Sequence, residues 1–128
     1  MTAVLVDTSV WRRFFGGSPA AGALADLLVE DGAVLVHPFV LGELVLGGLS
    51  AREEGLFGRL PQASVIAHEE VLEFVRRRKL GRRGIGWVDA HLLASALASS
   101  AVLWSADGRL ASAAAELGAE FYGATSGP

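Results

Sequence analysis

Apolar residues form five short runs along the chain, and the first of them, residues 3–6, ends abruptly at Asp7. A short apolar run of this kind is typical of a strand that is buried on both faces of a parallel sheet. The same pattern predicts four further strands, over residues 33–36, 64–67, 101–104 and 120–122.

Between these runs, apolar residues recur at the spacing of helices. Helical segments are predicted after Asp7 and over residues 19–31, 38–49, 50–59, 69–80, 87–100 and 109–117. Thr8 and Ser9 are candidate caps for the first of these helices. Because short strands alternate with helices, the sequence predicts an α/β fold with a mostly parallel, five-stranded sheet.

The size and composition of the chain agree with a compact protein. Its 128 residues predict one domain over residues 1–123, followed by a flexible tail over residues 124–128. No cysteine is present, which excludes thiolate metal sites and fits a reducing compartment. The sequence has neither a signal peptide nor a long apolar span, so we expect a cytoplasmic protein without membrane contact. The net charge of −3 gives no general attraction to nucleic acid.

Four carboxylates occupy unusual positions in this pattern. Asp7 and Asp107 follow the first and fourth predicted strands, whereas Glu43 and Asp89 are the single charges of two otherwise apolar helices. Each has a structural explanation of its own, such as a turn for Asp7 or a helix cap for Asp107. Placed together, about 5 Å apart, each pair would repel by roughly 3 kcal/mol at an effective dielectric near 20. The joint pattern therefore favours a cation held at one edge of the sheet.

The donor set indicates which cation this would be. Carboxylate oxygens without cysteine or a clear histidine pair favour Mg²⁺ or Mn²⁺, which suit phosphate chemistry. Ser9 and Ser105 lie two residues from Asp7 and Asp107, where their hydroxyls can bond to metal waters or to a phosphate oxygen. Helix capping is the alternative role for either serine.

Four segments carry a resemblance to a known family. Asp7-Thr8-Ser9-x-Trp11, Glu43 in an ELV context, VDAHLL at residues 88–93 and LWSAD at residues 103–107 resemble, in order, the motif blocks of PIN-domain ribonucleases. Within that superfamily the chain is most similar to the VapC-type toxins of toxin–antitoxin pairs. The last block often has Thr where this chain has Ser105, so the hydroxyl is retained.

This resemblance implies a three-layer α/β/α sandwich and a Mg²⁺- or Mn²⁺-dependent endoribonuclease. It implies Asp7, Glu43, Asp89 and Asp107 as the catalytic, metal-binding acids, supported by Ser9 and Ser105. It also implies a homodimer and a small VapB-like antitoxin that covers the active site. The resulting hypothesis is that a metal-activated water hydrolyses an RNA phosphodiester in line, without a covalent intermediate.

A basic run precedes the helix of Asp89 and contains six of the eleven basic residues: Arg76, Arg77, Arg78, Lys79, Arg82 and Arg83. Cations favour a helix C-terminus, but this explains only two or three of them. We interpret the run as a positive rim that binds RNA phosphates. Docking of an acidic partner surface is the alternative.

The three histidines are predicted to lie outside the acid cluster. His91 is displaced from Asp89 by roughly 200° around the helix and is predicted to be a core or interface residue. His37 ends the second strand, where a role in a turn is favoured over support of the acids, and His68 is predicted on the surface. The three tryptophans, at positions 11, 87 and 104, are predicted to be core residues.

Several other functions are compatible with parts of this pattern. A haloacid-dehalogenase-like phosphatase needs a second Asp where Ser9 stands, and a receiver domain needs an Asp after the third strand, where Ala67 and His68 stand. A DNA-directed nuclease would use the same acids. A non-catalytic PIN-like module that binds RNA or a partner is the main alternative from a different class.

Overall fold

The computed structural model describes residues 2–121, apart from the side chain of Ala20. The strands are β1 (Val4–Val6), β2 (Val34–Leu35) and β3 (Val102–Trp104). The helices are α1 (Thr8–Phe15), α2 (Gly22–Leu28), α3 (Pro38–Leu46), α4 (Ala51–Phe57), α5 (His68–Arg77), α6 (Trp87–Ala98) and α7 (Gly108–Glu116), with a 3₁₀ turn at Pro19–Ala21. Each of the seven predicted helical segments thus contains an α-helix. The predicted tail over residues 124–128 lies outside the described residues, and the single domain over residues 1–123 stays a prediction.

The three strands form a parallel sheet in the order β2-β1-β3. All three residues of the central strand β1 are buried. Because successive side chains of a strand point to opposite faces, both faces of β1 are covered. The crossovers from β1 to β2 and from β2 to β3 run in opposite directions, and right-handed crossovers then place helices on both sides of the sheet. The α/β class and the three-layer arrangement are confirmed.

The prediction of a strand over residues 64–67 is wrong. Pairing with the end of β2 occurs earlier, where the amide of Val36 donates to the carbonyl of Pro61 (3.0 Å) and the amide of Ala63 donates back to Val36 (2.8 Å). The next carbonyl, that of Ser64, accepts a hydrogen bond from the Ser95 hydroxyl at 2.7 Å. The chain is therefore bonded to α6 at the position where the sequence predicts a continuing strand.

The prediction of a strand over residues 120–122 is wrong as well, within the described part of the chain. A single bridge joins Glu120 to Leu103 of β3. The amide of Leu103 donates to the carbonyl of Ala119, and that of Phe121 donates to the carbonyl of Leu103. The last predicted position, Tyr122, lies outside the described residues. The sheet consequently has three strands rather than five.

An aromatic cluster packs α1 against the rest of the molecule directly after Asp7. Trp11 is fully buried, and its ring lies 4.7 Å from that of Phe57 and about 6 Å from those of Phe14 and Phe15. This packing fixes α1 against the end of α4. Trp104 is also buried, whereas Trp87 is 41% exposed, so the prediction that all three tryptophans lie in the core is wrong for Trp87.

Within residues 2–121, none of the helices has the length and apolar character that a membrane span requires.

Candidate active site

Asp7 lies at the carboxyl edge of the sheet, immediately after the central strand. Its amide donates to the carbonyl of Trp104 at 2.9 Å, which continues the pairing of β1 with β3 by one residue. The side chain is only 6% exposed. Its Oδ2 atom accepts hydrogen bonds from the hydroxyls of Ser9 (2.7 Å) and Ser105 (2.8 Å). The strand order reverses on the two sides of β1, which is where ligand crevices of open α/β sheets form.

The two serines connect the acid to the loop that follows β3. The hydroxyl of Ser9 accepts from the amide of Ala106 (3.0 Å), and the hydroxyl of Ser105 accepts from the amide of Asp107 (2.9 Å). Each hydroxyl therefore donates to Asp7 and accepts from this loop. The predicted capping of α1 by Thr8 or Ser9 is wrong, because α1 begins at Thr8 with Asp7 at the N-cap and without a side-chain cap bond.

Glu43 reaches this edge from the middle of α3. The hydroxyl of Thr8 donates to its Oε1 atom at 2.6 Å, so the residue next to Asp7 holds a second acid. This contact joins positions that are 35 residues apart in the chain. The sequence analysis missed this role of Thr8. The available signal was its position directly after a candidate metal-binding aspartate.

Asp89 lies in the first turn of α6, and its Oδ2 atom accepts from the amide of Gly86 at 2.8 Å. Partial burial raises the pKa of this carboxyl, and the negative charges of Asp7, Asp107 and Glu43 raise it further. The Gly86 hydrogen bond opposes these effects but does not reverse them. The other three predicted acids thus act electrostatically on Asp89, although each comes from a different segment of the chain.

Asp107 is the most exposed member of the group and forms the N-cap of α7, where its Oδ1 atom accepts from the amide of Arg109 at 2.9 Å. The interpretation of this residue as a helix cap is therefore correct for one carboxylate oxygen. Its negative charge also contributes, after burial, to raising the pKa of Asp89.

The four carboxylates share a bonding pattern. In each, one oxygen accepts hydrogen bonds from the protein, and these oxygens are Oδ2 of Asp7, Oε1 of Glu43, Oδ2 of Asp89 and Oδ1 of Asp107. Across residues 2–121 the second oxygen of each has no hydrogen-bond partner, and none of the four acids forms an ion pair. A set of oxygen donors without a neutralising side chain fits a hard divalent cation in charge and in ligand type. In the described part of the chain, however, no three acidic, histidine or cysteine side chains are already arranged around one metal position.

The histidines lie beside α3 and α6 rather than among the acids. His37 is fully buried, and its Nδ1 atom accepts from the amide of Phe39 (3.0 Å), so it caps α3, in agreement with the predicted role in a turn. Burial lowers the pKa of His37 to about 4, with a smaller contribution from His91. His91 is buried against the rings of Phe39 and Trp87, and burial lowers its pKa as well. His68 is exposed, as predicted.

The basic run is not one helix face. Helix α5 ends at Arg77, and the chain then turns with positive φ at Lys79 (55°) and Arg82 (63°). Arg77 pairs with Glu73 at 3.7 Å, and Arg83 pairs with Glu116 of α7 at 2.6 Å. The other four cations form no ion pair within residues 2–121: Arg76, Arg78, Lys79 and Arg82. The turn leads to Gly86, whose amide holds Asp89, which places the run next to the acidic edge along the chain.

Comparisons with known proteins agree with this architecture. Residues 4–116 match the family described as the PIN domain. Two curated relatives, each named Ribonuclease VapC32 and found in two strains of Mycobacterium tuberculosis, are 46% identical to the chain over 118 residues. The alignments cover 90% of this chain and 93% of each relative. The crystal structure of PAE2754 from Pyrobaculum aerophilum superimposes with a TM-score of 0.59 at 17% identity, covering 88% of this chain and 84% of the other, which supports the fold alone. The chain therefore belongs to the PIN-domain family and, within it, to the VapC type.

Proposed function

We propose that this protein is an endoribonuclease that hydrolyses RNA phosphodiester bonds and acts as the toxin of a toxin–antitoxin pair. The observation that carries the proposal is the hydrogen bonding around Asp7, in which Thr8 donates to Glu43 and Ser105 connects Asp7 to the amide of Asp107. The charges of these three acids add to burial in raising the pKa of Asp89. The similarity to relatives named Ribonuclease VapC32 over most of the chain supports RNA as the substrate.

We further propose that these four acids bind Mg²⁺ or Mn²⁺. Burial, and after it the charges of the other three acids, raise the pKa of Asp89, and a divalent cation would relieve the repulsion among these charges. When bound, such an ion supplies Lewis-acid chemistry, because it activates water and neutralises charge that develops on the phosphate. The hard oxygen donors and the absence of cysteine support these ions over zinc or copper.

The chain's own contribution is to restrict the acids before the ion and the RNA bind. Ser9 and Ser105 hold Asp7, and Thr8 holds Glu43. The amide of Gly86 holds Asp89. Because one oxygen of each carboxylate is already fixed, little side-chain entropy remains to be lost when the other oxygen binds a cation.

We propose that the basic run between α5 and α6 binds the RNA. Its unpaired members are Arg76, Arg78, Lys79 and Arg82, whereas Arg77 and Arg83 take part through the exposed parts of their side chains. Contacts of this kind bind phosphates and hold the RNA near the acids, but they do not read bases. Docking of an acidic protein surface on the same run is the competing proposal.

The VapC type also implies partners for this chain. We propose that it forms a homodimer, that a small VapB-like antitoxin covers the acidic edge, and that it acts in the cytoplasm. Two large apolar side chains at the end of α3 support a protein partner near Glu43, since Val45 and Leu46 are 45% and 90% exposed. Light scattering of the purified chain, with and without the antitoxin, tests both associations.

RNA cleavage by the purified, antitoxin-free protein tests the function. We expect discrete fragments with Mg²⁺ or Mn²⁺, no cleavage with EDTA, and no cleavage by an Asp89→Asn variant that remains folded. Cleavage that persists in EDTA would contradict the metal assignment. A folded, metal-loaded protein that cuts no cellular RNA would instead favour the non-catalytic RNA- or partner-binding module.

A further inference from the structure

The side chain of Arg109, near the start of α7, lies across the backbone of Gly84 in the turn before α6. A Cβ atom at Gly84 would stand 2.7 Å from Cδ of Arg109 and 2.9 Å from its Nη1 atom. Gly84 also has a φ of +78°, a conformation that side chains rarely adopt. A side chain at this position would therefore displace the arginine side chain from its place against the turn.

This contact places the arginine side chain between the segments that carry two of the acids. The amide of Arg109 donates to Asp107, and Gly84 lies two residues before Gly86, whose amide donates to Asp89. The ion pair between Arg83 and Glu116 adds a second link between this turn and α7. The side chain of Arg109 therefore connects the start of α7, where Asp107 is the N-cap, with the turn that leads to Asp89.

The guanidinium of Arg109 is nevertheless free to bind a ligand. Arg109 is exposed, and across the described residues 2–121 it forms no ion pair. By contrast, Arg83 in the adjoining turn is tied to Glu116 at 2.6 Å. A planar guanidinium offers a fork of donors that matches two oxygens of one phosphate.

We propose that Arg109 is a phosphate-binding residue of the substrate site and that Gly84 positions it. This inference rests on the proposed ribonuclease function. An acidic edge repels the RNA backbone, and a cation beside it would help, together with the proposed metal ion, to hold the phosphate next to the acids. Arg109 has the position and the charge for this role. The basic run between α5 and α6 supplies the more distant contacts.

The test measures binding of a short, labelled, single-stranded RNA of mixed sequence in an Asp89→Asn background, which prevents cleavage. Arg109→Ala and Arg109→Gln are each expected to weaken binding about tenfold, as for the loss of a charge-assisted hydrogen bond. The logarithm of the association constant should depend less steeply on log salt, with the magnitude of the slope reduced by about 0.7, the value for one phosphate contact. In the cleaving protein, KM should rise with kcat retained.

The role of Gly84 is tested by a double-mutant cycle. Gly84→Ala should displace Arg109 and weaken RNA binding, and adding Arg109→Ala should cause no further loss. Gly32→Ala is the matched control, because Gly32 has a φ of +75° and no atom within 4 Å of an added Cβ. Arg59→Ala is the control for charge, since Arg59 lies with Gly32 beside Val34, at the amino end of β2.

Four results would count against the inference. Wild-type affinity and salt slope in folded Arg109→Ala and Arg109→Gln would show that the arginine does not contact phosphate. Equal losses in Gly84→Ala and Gly32→Ala would assign the effect of Gly84 to backbone strain. A wild-type protein that neither binds nor cleaves RNA would overturn the proposed function, and this inference with it, whereas an unchanged KM for cleavage by Arg109→Ala would overturn this inference alone.

Discussion

Ser105 donates a hydrogen bond of 2.8 Å to the Oδ2 atom of Asp7, across 98 positions of the chain. The bond connects the loop after β3 to the end of β1 and gives a buried carboxylate one of its two hydroxyl donors. Ser9 supplies the other at 2.7 Å. The most buried acid of the candidate active site thus depends on two residues that are remote from each other in sequence.

Ser105→Ala should lower the free energy of unfolding by about 2 kcal/mol, because it leaves a buried carboxylate with one donor fewer. Urea unfolding measures this loss, and RNA cleavage should fall in parallel because Asp7 is less restrained. Ser105→Thr retains the hydroxyl and is the matched control, with near wild-type stability expected. Unchanged stability in Ser105→Ala would show that Ser9 alone supports Asp7.

Asp89→Asn should raise the melting temperature measured in EDTA. The folded protein raises the pKa of Asp89, chiefly through burial and then through Asp7, Asp107 and Glu43. Between the unfolded and folded pKa values the unfolded chain binds fewer protons, so the ionised group destabilises the fold as pH rises. The amide removes this effect at neutral pH. Asp26→Asn, on the exposed side of α2, is the control and should leave the melting temperature unchanged.

If Asp89→Asn instead melts at a lower temperature in EDTA, its bond with Gly86 outweighs the repulsion. When Mg²⁺ or Mn²⁺ is added, the wild-type protein should melt at a higher temperature than Asp89→Asn, because only the wild-type protein retains its full set of proposed ligands.

His37 should make the fold sensitive to mild acid. Its pKa is about 4 in the folded protein, against a usual value near 6.5, so the unfolded chain takes up more protons as pH falls between these values. The contribution of neutral His37 to the free energy of unfolding is complete above about pH 6.5. About 2 kcal/mol of this contribution is lost between pH 7 and pH 5.

The variant His37→Asn tests this dependence, because asparagine can still cap α3 but does not titrate. Its unfolding free energy should fall less than that of the wild type between pH 7 and pH 5. His68→Asn, at an exposed site, should follow the wild type. Parallel pH profiles for wild type and His37→Asn would contradict the assignment.

The basic run should govern how RNA affinity depends on salt. Combined replacement of Arg78, Lys79 and Arg82 by Gln should make the association constant less sensitive to salt. The magnitude of the slope of log K against log salt should fall by about 2, since each single-strand phosphate contact contributes about 0.7. Fluorescence anisotropy over a range of salt concentrations measures this slope. Arg59→Gln serves as the control. A slope that stays constant would favour the acidic protein partner as the ligand of this run.

The sequence by itself determined the class of fold and indicated the acids of the candidate site. Apolar runs and helical spacing located the three strands and seven helices that residues 2–121 form, because burial of one face or both leaves a local periodic signal. The end of β1 and the two most apolar helices also indicated Asp7, Glu43 and Asp89, since an isolated carboxylate in such surroundings is costly to bury.

Only the tertiary structure decided which segments pair and which side chains hold the acids. Residues 64–67 have the composition of a strand, but Ser95 of α6 bonds to their first carbonyl, and no local pattern encodes that competition. The same holds for the bond between Thr8 and Glu43 and for the contact of Arg109 with Gly84. These interactions join residues that are distant in the chain, so they exist only once packing has brought the elements together.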